Sequence, residues 1–221
     1  MSRHLLILHL ILLATLASPA HAQPVGNKQS PPQRWSLSLT AGPSIPVGRF
    51  AATDPFNNDW GAHAGAGAEF ALTWWANPFI GLTVATTGQS NPIGTHTNSG
   101  WPLTLRFNSW KIARFLGGLT VSPPPSSRKF SVDIRGLVGT LKTGVPGYTI
   151  VAGNDPRSGA SLVGVERPDD HMGLVMTWEA GADIKWKIKK GFFLLMDAGY
   201  QNAKAHLIQC IQASIGAGFS F

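Results

Sequence analysis

Two polar segments of the chain carry the side-chain types that hydrolytic enzymes use. A histidine base, a serine nucleophile and an acidic group that orients the base together make an acyl-transfer site. Candidates for these parts are His96, Ser99, Glu166, Asp169, Asp170 and His171. All of them lie in loop-like sequence, where a histidine is more often solvated than catalytic. We therefore predict no catalytic residue.

Oxygen-bearing side chains of the second segment could also hold Ca²⁺, which prefers such ligands. These are Asn154, Asp155, Glu166, Asp169 and Asp170. Their spacing is not that of an EF-hand, and His63, which we place on an inner strand face, has no second histidine at metal-binding spacing. Gly65 and Gly67 alternate within a strand instead of forming a phosphate-binding loop. The sequence predicts neither a metal site nor a cofactor.

The most informative charged residues occur at alternate positions, which puts them on one face of extended strands. They are Glu69, Arg114, Asp133, Arg135, Glu179, Asp183, Lys185, Lys187 and Asp197. From Leu174 to Ile188 every second residue is apolar or alanine, and each charge falls on the other parity. Chance rarely puts every charge on one parity, and a membrane barrel with an apolar exterior and a charged interior would show this pattern. A soluble barrel would turn its apolar face inward instead.

About eight such strands occur between Trp35 and Phe221. The last, Gln209 to Phe221, alternates apolar residues with Gln, Ser and Gly. No stretch after residue 22 approaches the roughly 20 apolar residues of a membrane-spanning helix, and in lipid the other viable structure is a closed sheet. We predict an all-β, eight-stranded antiparallel transmembrane barrel over 35–221. Its lumen is wide enough only for side chains, so we expect ion-pair networks inside it.

Aromatic residues cluster at both predicted ends of the strands, as membrane-interface belts do. At the periplasmic end we expect Trp35, Trp74, Trp75, Phe79, Phe130, Trp186, Phe192 and Phe221, and at the outer end Trp60, Trp101, Trp110 and Tyr200. A soluble β-sandwich or lipocalin-like barrel is the alternative, but such folds do not need aromatic belts on the outer wall.

The N-terminal residues 1–22 read as a secretory signal peptide. They have a basic start, a short apolar core and an Ala20-His21-Ala22 end, so we expect cleavage after Ala22. Loss of Arg3 lowers the formal net charge from +7 to +6. Residues 23–34 are proline-rich and predict a flexible periplasmic leader. Cys210 is the single cysteine, which excludes an internal disulfide.

Several local features mark loops and strand ends. Prolines in Ala41–Phe50 predict the end of the first strand. Lys111 interrupts the apolar face of the fourth strand, so we expect either that it lies near the outer interface or that the strand has a bulge around Asn108 to Trp110. Thr143 to about His171 shows no sustained period and is the longest predicted loop. Long loops of such barrels lie on the extracellular side.

The chain resembles the small outer-membrane β-barrel, porin-like families of Bacteroidetes-type bacteria. The resemblance lies in the signal peptide, the Ala41–Phe50 run, Gly81-Leu82 and the terminal Gly-Phe-Ser-Phe. It implies an outer-membrane location and defines no catalytic residue.

We therefore expect an integral outer-membrane barrel, not an enzyme, with a side-chain-filled lumen and a structural, surface-contact or small-solute role. The alternatives are a narrow diffusion pore and a lipid A-modifying enzyme, although His96 and Ser99 do not match the deacylase pattern of His and Ser two apart on a strand. Expected partners are outer-membrane lipid and lipopolysaccharide, the barrel assembly machinery through Phe221, and an extracellular ligand at the Thr143–His171 loop. We expect no nucleic acid partner and a monomer.

Overall fold

A computed structural model of the chain describes residues 34–52, 61–94, 96–97, 103–124, 129–152, 166–167, 170–189, 191–203 and 208–221. The predicted signal peptide lies outside these residues, and so does the predicted leader except for Arg34. The same holds for Trp60, Ser99, Trp101, Asn154, Asp155 and Asp169.

Eight antiparallel strands close into a barrel, which confirms the predicted fold class. They are β1 (Trp35–Pro46), β2 (Gly65–Trp75), β3 (Ile80–Asn91), β6 (Trp110–Val121), β7 (Phe130–Val145), β10 (Asp170–Lys187), β11 (Phe192–Ala203) and β12 (Ile208–Ser220). Each strand pairs with its neighbour along the chain, and β1 pairs with β12 to close the sheet. No described helix is long and apolar enough to cross a membrane.

Short connections mark one end of the barrel. Ala76 to Phe79 link β2 to β3, and Ile188 to Gly191 link β10 to β11, where Gly191 has a φ of 84° that favours glycine. At the same end the backbones of Trp35 and Phe221 exchange two hydrogen bonds of 3.0 and 2.9 Å. Because short turns of such barrels are periplasmic, this end faces the periplasm.

The outer wall carries the apolar parity of the strands, as predicted. Phe70, Val138, Met176 and Ile215 are exposed on it, whereas Glu69, Thr177, Glu179 and Ser214 are buried in the lumen. Membrane lipid would cover these exposed apolar side chains, which explains why so many of them can lie on the outer face of the folded barrel.

The aromatic rims follow the prediction at one end and depart from it at the other. At the periplasmic end Trp35, Phe79, Phe130, Trp186, Phe192 and Phe221 are exposed. Trp75 instead turns inward, and its indole N–H donates to Ser36 Oγ at 3.2 Å. Trp110 is buried inside the outer end, so its place in the outer belt was wrong. Trp178 lies on the wall there, with its ring 5.5 Å from that of Tyr200.

Two local predictions were wrong near the start of the barrel. β1 continues through Pro43 to Pro46, because Pro43 still pairs with Ala66 on β2, although the pairing of β1 with β12 skips Gly42 and Pro43. His63 is exposed and Ala62 is buried, the reverse of the predicted faces. The regular β2 ladder begins only at Gly65, so the alternation does not extend back to these residues.

Four short strands form a second sheet beyond the barrel. They are β4 (His96–Thr97), β5 (Leu103–Phe107), β8 (Tyr148–Ala152) and β9 (Glu166–Arg167), in the order β4-β5-β8-β9. In the chain they adjoin β3, β6, β7 and β10, which are barrel neighbours in that same order. We call this element the loop sheet. The segment predicted as a long loop therefore contains β8, β9, the end of β7 and the start of β10.

Candidate functional site: the lumen and the loop sheet

Arg135 on β7 is the centre of a buried charge cluster. Its guanidinium is bidentate to Glu69, with Nη1 at 2.5 Å from Oε1 and Nη2 at 3.1 Å from Oε2. Nη2 also lies 2.7 Å from Glu179 Oε1 and 3.1 Å from Asp197 Oδ1, and Nη1 lies 3.8 Å from Asp183 Oδ1. We call these five residues the Arg135 cluster. One cation thus joins carboxylates of β2, β10 and β11 across the lumen.

Two glycines make room for this guanidinium. Gly181 on β10 pairs with Arg135 on one side and with Gly199 on the other, so the row next to Arg135 has no side chains. A Cβ at Gly181 would lie 3.2 Å from Arg135 Nε and 3.1 Å from the Ala198 carbonyl oxygen. The small residues let the arginine lie across the wall and reach its acidic partners.

Amide and hydroxyl groups complete the acidic side of the cluster. The Gln201 side-chain amide donates to Glu179 Oε2 at 2.9 Å and to Gln212 Oε1 at 3.1 Å. Ser214 Oγ donates to Asp197 Oδ2 at 3.0 Å. These neutral donors matter because a buried carboxylate is costly unless its oxygens accept hydrogen bonds.

A second ion pair lies nearer the periplasmic end. Lys185 Nζ is 2.5 Å from Asp133 Oδ2, and the same ammonium lies 5.6 Å from the Trp75 ring centroid and 5.1 Å from that of Phe193. On the periplasmic side of this pair the lumen opens into a cavity of about 290 Å³. Lys187 and Lys189 line this cavity together with the Lys185–Asp133 pair. Lys187 was predicted inside the lumen, but it is exposed at this mouth because β10 ends there.

Arg114 on β6 occupies a layer closer to the outer end. It is buried, and its Nη1 donates to Gln89 Oε1. The Gln89 amide in turn donates to Asn91 Oδ1 at 3.0 Å and to the Cys210 sulfur at 3.2 Å. Cys210 itself is fully buried inside the barrel. Arg114 and its neighbours fill the space between the Arg135 cluster and the outer end.

Apolar side chains close the outer end of the lumen. The buried set consists of Phe50, Ala62, Trp110, Ile112, Leu141, Ala203, Ile208 and Cys210. Phe50 packs edge-on against Trp110, with ring centroids 5.6 Å apart. We call this set the outer cap. Strand alternation does not predict the place of Phe50 in this set, because Phe50 belongs to the short helix Gly48–Phe50 after β1.

Between the cavity at the periplasmic end and the outer cap, side chains occupy the lumen of the described residues. Its buried charges are Glu69, Asp133, Glu179, Asp183 and Asp197 against Arg114, Arg135 and Lys185. All were predicted to point inward from strand parity. Strand parity does not predict which of them pair. Asp133, Glu179 and Asp183 form their ion pairs between the adjacent strands β7 and β10, whereas Glu69 and Asp197 reach Arg135 from the non-adjacent strands β2 and β11.

The structure separates the residues predicted as an alternative hydrolytic site. His96 lies on β4 and Glu166 on β9, which are opposite edges of the loop sheet with β5 and β8 between them. Three strand spacings place their backbones about 14 Å apart along the sheet. Asp170 and His171 begin β10, and Ser99 and Asp169 are outside the described residues. Among the residues that the structure describes, the backbone positions of His96 and Glu166 are therefore not brought together.

Among the described residues, no group of three or more His, Cys, Asp or Glu side chains could hold a metal ion. The four carboxylates nearest one another surround Arg135, whose guanidinium already occupies the space between them.

Comparison with solved structures places this fold among small outer-membrane barrels. Neisserial surface protein A shares 9% identity at a TM-score of 0.56, covering 85% of this chain and 97% of the other. The attachment invasion locus protein Ail of Yersinia pestis shares 14% identity at a TM-score of 0.46, covering 85% and 99%. The N-terminal barrel domain of Pseudomonas aeruginosa OprF shares 10% identity at a TM-score of 0.40, covering 84% and 97%.

No family model matches the chain, and no curated protein matches it. The Bacteroidetes-type resemblance therefore stays a prediction. The closed eight-stranded sheet, the apolar outer wall and the similarity to Neisserial surface protein A define an integral β-barrel protein of the Gram-negative outer membrane.

Proposed function

We propose that this protein is a closed, non-enzymatic outer-membrane barrel that presents the loop sheet for contact at the cell surface. The observation that carries the proposal is the outer cap above the Arg135 cluster. An apolar plug and, beneath it, ion-paired and hydrogen-bonded side chains occupy the described lumen, which supports a barrel that does not conduct. The interior of an eight-stranded barrel is only about wide enough for the side chains that fill it.

The loop sheet supports a role on the outer side. The backbone N–H of Asn108 donates to the Gly147 carbonyl at 2.9 Å, between the β6–β7 ladder and the β5–β8 ladder. One pair of strands thus runs from the membrane wall into the loop sheet almost without interruption. Phe107 and Tyr148 pack on this extension with ring centroids 5.8 Å apart. A sheet built in this way is a more ordered contact surface than two independent loops.

Cysteine labelling of intact cells tests the surface position. Arg106 is exposed on β5, and Lys187 is exposed at the opposite end of the barrel. We expect a membrane-impermeant maleimide to label Arg106→Cys on intact cells, and to label Lys187→Cys only after the outer membrane is permeabilised. The native Cys210 is fully buried, so the unmodified protein serves as the unlabelled control. The reverse pattern would overturn the proposed display of the loop sheet.

The enzyme alternative has its own test. Because His96 and Glu166 lie on opposite edges of the loop sheet, we expect unchanged lipid A mass spectra when the protein is expressed. A lipid A species that appears with the protein and disappears in His96→Ala would contradict the non-enzymatic role.

The partners predicted from the sequence remain part of the proposal. We propose that Phe221, which is exposed and stacks with Phe219 at 6.3 Å between centroids, is read by the barrel assembly machinery, and that the barrel is a monomer. We also propose that the Thr143–His171 segment, which includes β8 and β9, takes the extracellular ligand.

A further inference from the structure

Two lysines interrupt the apolar outer wall of the barrel where the loop sheet begins. Lys111 on β6 and Lys142 on β7 are exposed and share the parity of the lipid-facing residues. Lys142 is directly opposite Ala113, which is directly opposite Gly88 on β3. A groove of about 300 Å³ runs along the wall between the lysines and these small residues.

The depth of the lysines in the membrane follows from the strand lengths. Lys111 is ten residues before Val121, which ends β6 at the periplasmic side, and Lys142 is twelve residues after Phe130, which begins β7 there. A tilted barrel strand crosses the hydrocarbon core in about 9 to 11 residues. Both ammonium groups therefore lie at the boundary between hydrocarbon and the head groups of the outer leaflet.

Neither lysine has a partner within the described structure. The described ion pairs lie inside the barrel, around Arg135 and Lys185. Cations on a lipid-facing wall are costly at mid-membrane but are tolerated at its edge, where anionic head groups attract them. Two neighbouring ammonium groups at this depth complement the charge of a phosphate, whereas a neutral or zwitterionic head group offers them no net negative charge.

The groove adds an apolar component to this site. A Cβ at Gly88 would meet nothing within 4 Å, so the wall is open there. Ala113 beside it adds only a methyl group. An acyl chain of a lipid could lie in this depression while the head group of the same lipid reaches the lysines. A free phosphate has no acyl chain and could not use the groove.

From this geometry we propose that Lys111 and Lys142 bind a phosphate of an outer-leaflet lipopolysaccharide molecule, with one of its acyl chains in the groove over Gly88 and Ala113. The inference rests on the proposed function in one respect, namely that the loop sheet faces the cell surface. It does not depend on the closure of the lumen. It gives the expected lipopolysaccharide partner a specific site on the wall formed by β3, β6 and β7.

Native mass spectrometry of the detergent-solubilised full-length barrel tests this site with three probes: bisphosphorylated lipid A, its dephosphorylated form, and phosphatidylglycerol. We expect Lys111→Gln/Lys142→Gln to weaken binding of the bisphosphorylated lipid about thirtyfold, because each lysine near a charged surface contributes a factor of about five. Binding of the dephosphorylated form should not change. Lys111→Arg/Lys142→Arg should retain binding, since the charge is kept.

The matched control is Lys187→Gln/Lys189→Gln, which removes the same charge at the periplasmic mouth and should leave lipid A binding unchanged. Ala113→Trp fills the groove and should weaken both forms of lipid A. All of these positions are exposed, and heat-modifiable migration on gels verifies that each variant is folded.

The proposal is overturned if the Lys111/Lys142 double variant binds like the parent, if the control loses as much affinity, or if phosphatidylglycerol binds as tightly as bisphosphorylated lipid A. Failure of this test would leave the cysteine-labelling result on the loop sheet unaffected.

Discussion

Asp183 on β10 lies directly opposite Asp197 on β11, and both carboxylates point into the lumen. Asp133 on β7 faces Asp183 from the other side, so three aspartates occupy one row across three strands. Like charges placed directly opposite each other destabilise a sheet. The row persists because Arg135 contacts two of its members and Lys185 contacts the third. The stability of the barrel therefore depends on a few cations that are ion-paired with a larger number of buried carboxylates.

Asp183→Asn should stabilise the barrel. Asp183 has the longest contact with Arg135, at 3.8 Å, so the variant loses little attraction and removes repulsion from both neighbouring aspartates. We expect the free energy of unfolding to rise by about 0.2 to 1 kcal/mol, measured by urea titration in lipid vesicles. Asp197→Asn is the comparison, because its carboxylate is 3.1 Å from Arg135 and accepts from Ser214. A larger gain from Asp197→Asn would contradict the proposed ranking of these contacts.

Arg135→Met should be strongly destabilising. Removing one partner of a buried ion pair typically costs about 3 to 5 kcal/mol, and here four carboxylates lose their shared cation. The same urea titration measures the loss. Combining Arg135→Met with Glu69→Gln and Glu179→Gln should recover part of it, because fewer buried charges are left unpaired. No recovery in the triple variant would show that Arg135 acts through packing alone.

Gly181→Ala tests the space that the arginine needs. The added methyl group would press on Arg135 Nε and the Ala198 carbonyl, so we expect a loss of about 1 to 3 kcal/mol. Gly136 on β7 is the matched control, since it faces outward and a Cβ there meets nothing within 4 Å. Gly136→Ala should be neutral or slightly stabilising, because glycine weakens a strand interior. Equal losses at the two positions would contradict the role given to Gly181.

Trp110→Ala tests the outer cap. Trp110 is buried against Phe50, so its truncation should cost about 3 to 5 kcal/mol in urea unfolding. Trp178→Ala removes the same side chain from the outer wall, where it is 42% exposed, and should cost clearly less. A Trp110→Ala variant as stable as Trp178→Ala would show that the cap is not a packed plug.

The regular strands could be predicted from the sequence because the membrane enforces one rule along each of them. Glu179, Asp183 and Lys185 follow the alternation without exception, and all three are buried. The rule fails where the ladder is irregular, as at Ala62 and His63 before β2. Trp110 was misplaced because it is the first residue of β6 and shares the inward parity of Ile112 and Arg114.

Pairing between distant segments was beyond sequence reasoning. β5 and β8 show the alternation of ordinary short strands, but their partnership joins segments more than forty residues apart in the chain and follows from the barrel order of β6 and β7. The same limit applies to Arg135 and Glu69, which come from non-adjacent strands and meet across the lumen. Parity shows which way a side chain points but does not identify what it meets.

Single-channel recording in planar lipid bilayers tests the closed lumen most directly. Pure protein, verified as folded by heat-modifiable migration, should give no steady conductance at any applied voltage that the membrane withstands, since the outer cap and the Arg135 cluster fill the path. Steady, large conductance steps from the unmodified protein would contradict the account.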